Sequence, residues 1–222
     1  MESLLKTATS GKIERPPFVI VYGQDGVGKS SMLADAPDVI FGGPETGTDH
    51  LDVTRVSGLD TFEKNINFLN EILAGGHKFK NLAFESIDHL EKIIFSKVCK
   101  EDGSSNINKA LGGYGAGFAR ADALTVEMIN LLKQINQKMG VYVTAHFKVK
   151  TFSDPNTDTD YQRYSIKTRE ETAGYWKEAV DAVLFAHYEV SKGKDAARAF
   201  GDGTRLLGTE WRPAFEAKNR FG

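Results

Sequence analysis

Cysteine is nearly absent: Cys99 is the single one among 222 residues. One thiol closes no internal disulfide and builds no cysteine-rich metal site. It sits in Phe95-Ser96-Lys97-Val98-Cys99-Lys100, a helical pattern, and reads as packing. Long apolar runs are missing too. No stretch of about 18 apolar residues occurs, so no membrane-spanning helix is expected. The opening Met1-Glu2-Ser3-Leu4-Leu5-Lys6 has an acid where a signal peptide has bases, and no long apolar stretch follows. A cytoplasmic location is the expectation. No excess of one charge sign exists: 28 Lys and Arg face 30 Asp and Glu, a formal charge of −2. Global electrostatics announce no nucleic-acid binder, so any such binding must come from local patches. Repeats and low-complexity tails are absent. What is there, 41% hydrophobic and 26% charged residues, suits one soluble domain with a full core.

The most informative segment is Gly23-Gln24-Asp25-Gly26-Val27-Gly28-Lys29-Ser30. It reads G-x-x-x-x-G-K-S, the phosphate-binding loop. Its glycines let the backbone turn tightly and aim successive N–H groups at phosphate oxygens. Lys29 brings a cation to the β- and γ-phosphates, and Ser30 offers a hydroxyl to Mg²⁺. Phe18-Val19-Ile20-Val21-Tyr22 before it is a short apolar run of the kind a buried parallel strand needs. Ser30 to Asp35 after it opens a helix whose N-terminus faces the phosphate, which adds Ser31 to the binding set. A chance match in such a chain is on the order of one percent, so nucleoside triphosphate binding, with ATP and Mg²⁺, is the working expectation.

Residues 1–16 form an arm ending at Pro16-Pro17, and residues 17–222 form the domain. Val39-Ile40-Phe41, Leu82-Ala83-Phe84, Val141 to Ala145 and Val180 to Val190 are further strands. Asp60-x-x-Glu63 resembles a capping box. Behind it Phe62, Ile66, Leu69, Ile72 and Leu73 recur at helical spacing until Gly75-Gly76. Ile87, Leu90, Ile93 and Ile94 mark a second helix, and Leu124, Met128, Leu131, Leu132 and Ile135 a third. Residues 102–117 read as a mobile loop and 150–162 as a polar loop. Ala196 to Phe200 and Arg205 to Leu207 flank Gly201-Asp202-Gly203-Thr204 as a hairpin. Strands alternating with helices predict a mostly parallel α/β sheet flanked by helices, with a late antiparallel hairpin.

Hydrolysis of a γ-phosphate needs metal, a polarised water and stabilised transition-state charge, and open α/β sheets keep such groups at the strands' C-terminal ends. Glu85 ends an apolar strand and is the candidate metal ligand beside Ser30. Asp88 is a fallback expected to face solvent. Glu45 is a candidate general base for the attacking water, and His146 a candidate γ-phosphate sensor. Lys218 and Arg220 near the C-terminus are candidate cations for a neighbouring subunit's γ-phosphate. Charge interleaved with aromatics is what single-strand binding uses. That pattern nominates Lys148, Lys150, Tyr161, Arg163 and Tyr164, and, around the glycine-rich loop, Lys109, Tyr114 and Arg120.

In order and spacing, residues 17–222 resemble the RecA-like P-loop ATPase core. Pro44-Glu45-Thr46-Gly47-Thr48-Asp49-His50 falls where that family keeps its catalytic glutamate. Phe84-Glu85-Ser86 matches its metal-side strand end, with Glu for the usual Asp. His146 takes the position of a polar sensor that is often Gln. Two DNA-binding loops of the family fall on roughly 102–117 and 148–165. Lys218-Asn219-Arg220-Phe221-Gly222 is the motif that gives RadA its signature, and DnaB-type helicases carry a related one. The short length looks most like the phage-encoded RecA-like single-strand-annealing recombination proteins. The resemblance implies an ATP-dependent protein that binds single-stranded DNA, assembles as a ring or filament with ATP at subunit interfaces, and partners a single-strand-binding protein. The bacterial host's cytoplasm would be its location. Two other readings stay open: an ATP-gated clamp or helicase-loader module with slow hydrolysis, and a P-loop small-molecule kinase.

Overall fold

The computed structural model describes residues 4–156, 158–192 and 199–221. Strand β1 (Phe18–Gly23) leads through the phosphate loop into the short helix α1 (Lys29–Ala34). There follow β2 (Val39–Gly42), β3 (Thr54–Arg55), α2 (Phe62–Ala74), β4 (Asn81–Phe84), α3 (Ile87–Asp102) and α4 (Ala116–Ile135). The second half holds β5 (Gly140–Phe152), β6 (Tyr161–Ile166), α5 (Glu170–Ala179) and β7 (Ala182–Tyr188). It closes with β8 (Ser191–Lys192), β9 (Ala199–Phe200), β10 (Arg205–Gly208) and β11 (Lys218–Asn219). The main sheet runs β10-β7-β1-β5-β4-β2-β3. Its strands from β7 to β3 are parallel, while β10 and β11 add antiparallel to β7 and β6 adds antiparallel to β5. The mostly parallel, helix-flanked sheet expected from the sequence is therefore present, with late antiparallel strands. Among the described residues no helix is long and apolar enough to cross a membrane.

Burial explains the strand sequences. All six residues of β1 are buried, and their alternation divides them between two cores. Phe18, Ile20 and Tyr22 join Leu69, Leu90, Leu124 and Trp176 from helices α2 to α5. Val19 and Val21 face the smaller core under Val27 and Leu33. At the opposite edge from the phosphate loop, the chain entry is tied down. The Asp181 carboxylate accepts the Phe18 N–H at 3.0 Å and pairs with Arg15. The Asn136 side chain donates to the carbonyls of Pro16 and Pro17 at 2.9 and 3.1 Å.

Several local expectations are corrected. Thr61, not Asp60, caps α2, its hydroxyl accepting the Lys64 N–H; Asp60 pairs with Lys64 instead, and Glu63 reaches across to Lys97. Residues 102–117 are less open than their glycines imply, because Ala110 is fully buried and Ile107 packs on the core. The polar loop expected at 150–162 is shorter than that: β5 runs on to Phe152 and β6 returns from Tyr161, so only the stretch between them is loop. Helix α5 lies in a stretch whose apolar periodicity is too sparse to announce it. Residues 201–204 close no two-stranded hairpin, since β10 pairs with β7 and β9 with β8; residues 196–198 of that reading lie outside the described residues.

Candidate nucleotide site

The phosphate loop leaves the C-terminal end of β1 between β5 and β7, with Gly23 level with His146 on one side and Ala186 on the other. Gly28 takes the left-handed conformation, φ 95°, at the entry to α1, where a side chain would be strained. A Cβ there would also meet the Arg205 guanidinium at 2.9 Å. Val27 turns its side chain into the smaller core, so only its backbone can face a ligand. The buried Lys29 ammonium donates to the carbonyls of Gly23 and Gln24 at 3.1 and 3.0 Å. Burial lowers its pKa, opposed by Asp25, Glu45, Asp88 and Glu85. A desolvated cation held only by carbonyls is poised to exchange them for phosphate oxygens.

Around the loop opens a cleft of about 450 Å³, bordered by Asp25, Ser30, Ser31, Glu45, Glu85, His89 and His146. Two of its three carboxylates, Glu45 and Glu85, meet through backbone. Gly42 accepts the Glu85 N–H at 2.8 Å, and the Glu85 carbonyl accepts the Glu45 N–H at 3.0 Å. Between them Gly43, φ 124°, crosses so tightly that a Cβ would lie 2.0 Å from the Glu85 oxygen. The Ser30 hydroxyl donates to the Glu85 carboxylate. Burial pushes that carboxyl above the usual range, with the Glu45 charge adding and the Ser30 bond opposing. Two hard oxygen donors already side by side fit Mg²⁺, which keeps most of its waters and binds through one or two protein oxygens plus phosphate.

Asp88 does not face solvent. Its side chain is 1% exposed and lies beneath the end of β5, where it accepts the His146 backbone N–H at 3.1 Å and bonds the ring Nδ1 at 2.9 Å. Burial works against its charge, but the bonds from His146 and Ser86 outweigh it and hold the carboxyl at about 2. The same bond raises the His146 pKa, partly countered by burial. With Nδ1 held, Nε2 faces the cleft, 3.1 Å from Asp25 Oδ1 and 3.6 Å from Glu45 Oε1. Three further residues of the site carry no sequence motif. His89 places Nδ1 3.4 Å from Glu45 Oε2, the Tyr188 hydroxyl donates to the Gly26 carbonyl at 3.0 Å, and Arg205 lies on Gly28. His89 had a local signal in Glu85-Ser86-Ile87-Asp88-His89, a polar cluster at a strand end. Arg205 and Tyr188 had none, because the pairing of β10 with β7 brings them there.

A protein-family model described as an AAA domain matches residues 15–221. The chain belongs to that AAA-domain family. Among solved structures it is similar to one titled "Crystal structure of the RadB recombinase", at 13% identity and a TM-score of 0.44, covering 79% of this chain and 76% of that one. No curated protein matches it.

The remaining sequence candidates of this AAA domain are scattered. Lys109 and Tyr114 are exposed before α4, while Arg120 forks onto Glu101 at 3.1 Å through two nitrogens. Lys148 donates to the Thr168 carbonyl and Lys150 pairs with Glu170. Arg163 is 5% exposed, stacked on Phe152 and bonded to the Pro213 carbonyl and the Tyr161 hydroxyl; its charge is spent inside the fold. Tyr164 packs on Phe147 and Phe185. At the far edge of the sheet, Lys218 donates to the carbonyls of Lys177 and Val180 at 2.6 and 2.8 Å, closing the end of α5. Arg220 is the exposed cation of that pair.

Proposed function

We propose that this AAA domain is an ATP-hydrolysing, single-stranded-DNA-binding recombination or annealing protein that works as an oligomer. One observation supports it most. β5 runs without a break from the sheet, through His146, into the β5–β6 hairpin, where Phe147 pairs with Ile166. A residue lining the cleft and a hairpin carrying Lys148 and Lys150 thus share one strand. In this reading Lys29 binds the phosphates, Ser30 and Glu85 hold Mg²⁺, and Glu45 takes the proton of the attacking water. Asp88 orients His146, which senses the γ-phosphate and passes its presence along β5. The DNA surface comprises Lys109, Tyr114, Lys148 and Lys150, with Arg120 on the flank. Arg163 shapes the hairpin from inside instead of touching DNA, while the half-buried Tyr161 and the exposed Tyr164 stay candidates for base stacking. Partnership with a single-strand-binding protein and a phage origin belong to the same reading.

Arg220 supports the oligomer. Through Lys218 and Asn219 the C-terminal segment pairs with the first residues of β7, so Arg220 lies about 16 Å below the level of Gly23 at strand rise. That is too far to serve its own phosphate loop, and in this reading it serves a neighbour's.

The test is ATP hydrolysis by the purified protein with and without single-stranded DNA at fixed salt, because phosphate contacts are salt-sensitive. Stimulation by single strands, and not by duplex, is expected. Turnover indifferent to DNA would refute the reading. Glu85 in place of the family's usual Asp favours a second reading, an ATP-gated clamp or loader with slow hydrolysis. There, DNA affinity would be the same with ATP and with a non-hydrolysable analogue.

A further inference from the structure

Above the phosphate loop, three side chains from three different elements turn donor atoms on one another. Glu45 comes from the segment after β2, His89 from the first turn of α3 and His146 from β5. One donor atom of each lies within 4.8 Å of the other two. His146 Nε2 is 3.6 Å from Glu45 Oε1, and His89 Nδ1 is 3.4 Å from Glu45 Oε2. Asp25 Oδ1 stands 3.1 Å from His146 Nε2. A tetrahedral ion with bonds of 2.0–2.1 Å sets its ligands about 3.3 Å apart; the two spacings, each to a different Glu45 oxygen, are near that length, and the three donors have only to draw in from within 4.8 Å. His89 Nδ1 also lies 2.9 Å from Ser86 Oγ and 3.6 Å from Asp88 Oδ2.

Two features separate this cluster from an ordinary polar network. First, the buried Asp88 carboxylate bonds His146 Nδ1 at 2.9 Å. That is the carboxylate–histidine arrangement that fixes a ligand's tautomer and leaves Nε2 to coordinate. Second, the donors are of mixed type. Mg²⁺ prefers oxygen throughout, whereas two imidazoles with a carboxylate suit Zn²⁺ and its neighbours. Asp25, 87% exposed at its side chain, is free to swing in as a fourth donor.

We infer that Glu45, His89 and His146 form a binding site for a transition-metal dication of the Zn²⁺ class, separate from the Mg²⁺ position at Ser30 and Glu85. The site needs no nucleotide, but it shares Glu45 and His146 with the proposed hydrolysis, so its test reads metal binding and not turnover.

The experiment titrates Zn²⁺, and Co²⁺ as a spectroscopic probe, into the chelator-treated full chain with no nucleotide present. One equivalent is expected to bind, with a visible Co²⁺ absorption of tetrahedral type. His89→Ala, a half-exposed position, should weaken Zn²⁺ binding at least tenfold with an unchanged far-UV spectrum. Asp88→Asn should weaken it about 10- to 100-fold. Cys99→Ser should leave it unchanged, since the thiol takes no part. Lys29→Ala should retain it even where nucleotide binding is lost, which separates this site from the nucleotide reading. Absence of stoichiometric binding, or binding that survives His89→Ala intact or disappears with Cys99→Ser, would overturn the inference.

Discussion

Gly43→Ala tests whether the Glu45 and Glu85 carboxylates of the cleft depend on one close backbone crossing. The added Cβ would lie 2.0 Å from the Glu85 carbonyl oxygen, 2.7 Å from its nitrogen and 2.8 Å from its carbonyl carbon, where ordinary contacts start near 3.4 Å. The loop after β2 must therefore retreat from the end of β4 by about 1.4 Å at contact distances typical of packed atoms. Such a shift would break the bonds from Glu85 N–H to Gly42 and from Glu45 N–H to Glu85, now 2.8 and 3.0 Å. Leaving such groups unpaired costs about 1–3 kcal/mol each, and a non-glycine residue held at φ 124° costs about 1–3 kcal/mol more. We expect a loss of about 4 kcal/mol, a melting point lower by about 8–16 °C for a domain of this size. The assay is denaturant unfolding, with ATP turnover on whatever remains folded. Gly47→Ala is the control, its Cβ meeting nothing closer than Glu45 Oε1 at 3.9 Å, and should stay within about 0.5 kcal/mol of the parent. A Gly43→Ala protein equally close to the parent would refute the reasoning.

Lys29→Ala should abolish ATP binding while the far-UV spectrum stays unchanged; fluorescent-nucleotide titration with parental affinity would remove the loop from the site. Arg205→Ala should weaken ATP binding about tenfold, as loss of one charged contact of about 1.4 kcal/mol predicts, and an unaltered affinity would mean that the guanidinium rests on Gly28 only in the free protein. Asp181→Ala strips partners from Arg15 and the Phe18 N–H and should cost about 2–3 kcal/mol in urea unfolding, with nucleotide affinity in the folded protein unchanged. Arg220→Ala should spare ATP binding and remove hydrolysis, and wild-type protein mixed with excess Lys29→Ala should turn over non-additively. Strictly additive rates in that mixture would exclude a cation supplied by a neighbour.

What was legible in the sequence was what local pattern controls. The six buried residues of β1, the loop that follows and the glycine stop after α2 are each set within a few residues of chain. Glu45, Glu85 and His146, which the structure brings to one cleft, could be nominated because each follows an apolar run that reads as a strand. Asp88 was misjudged for a physical reason: helical spacing places it beside Ile87 and away from Leu90, which looks like solvent until β5 is laid across the helix start. Arg163 was misread for the same kind of reason. Charge among aromatics describes a nucleic-acid surface and a buried guanidinium stacked on Phe152 equally well, and only the path of residues 211–215 decides. Arg205 was invisible because its place depends on pairing 17 residues away in sequence, with Tyr188.

That pairing has a consequence for how one subunit could report to the next. β7 is gripped at both ends by the C-terminal part of the chain. At its upper end Tyr188 holds the carbonyl of Gly26 and its partner Arg205 touches Gly28; at its lower end Ala182 and Val183 carry Asn219 and Lys218. A strand of seven residues spans about 23 Å and resists compression far better than a loop would. A displacement of the phosphate loop along β7 would thus have a direct strand path to the segment that bears Arg220. In the proposed oligomer, emptying or filling one subunit's pocket would then shift the segment that offers Arg220 to its neighbour.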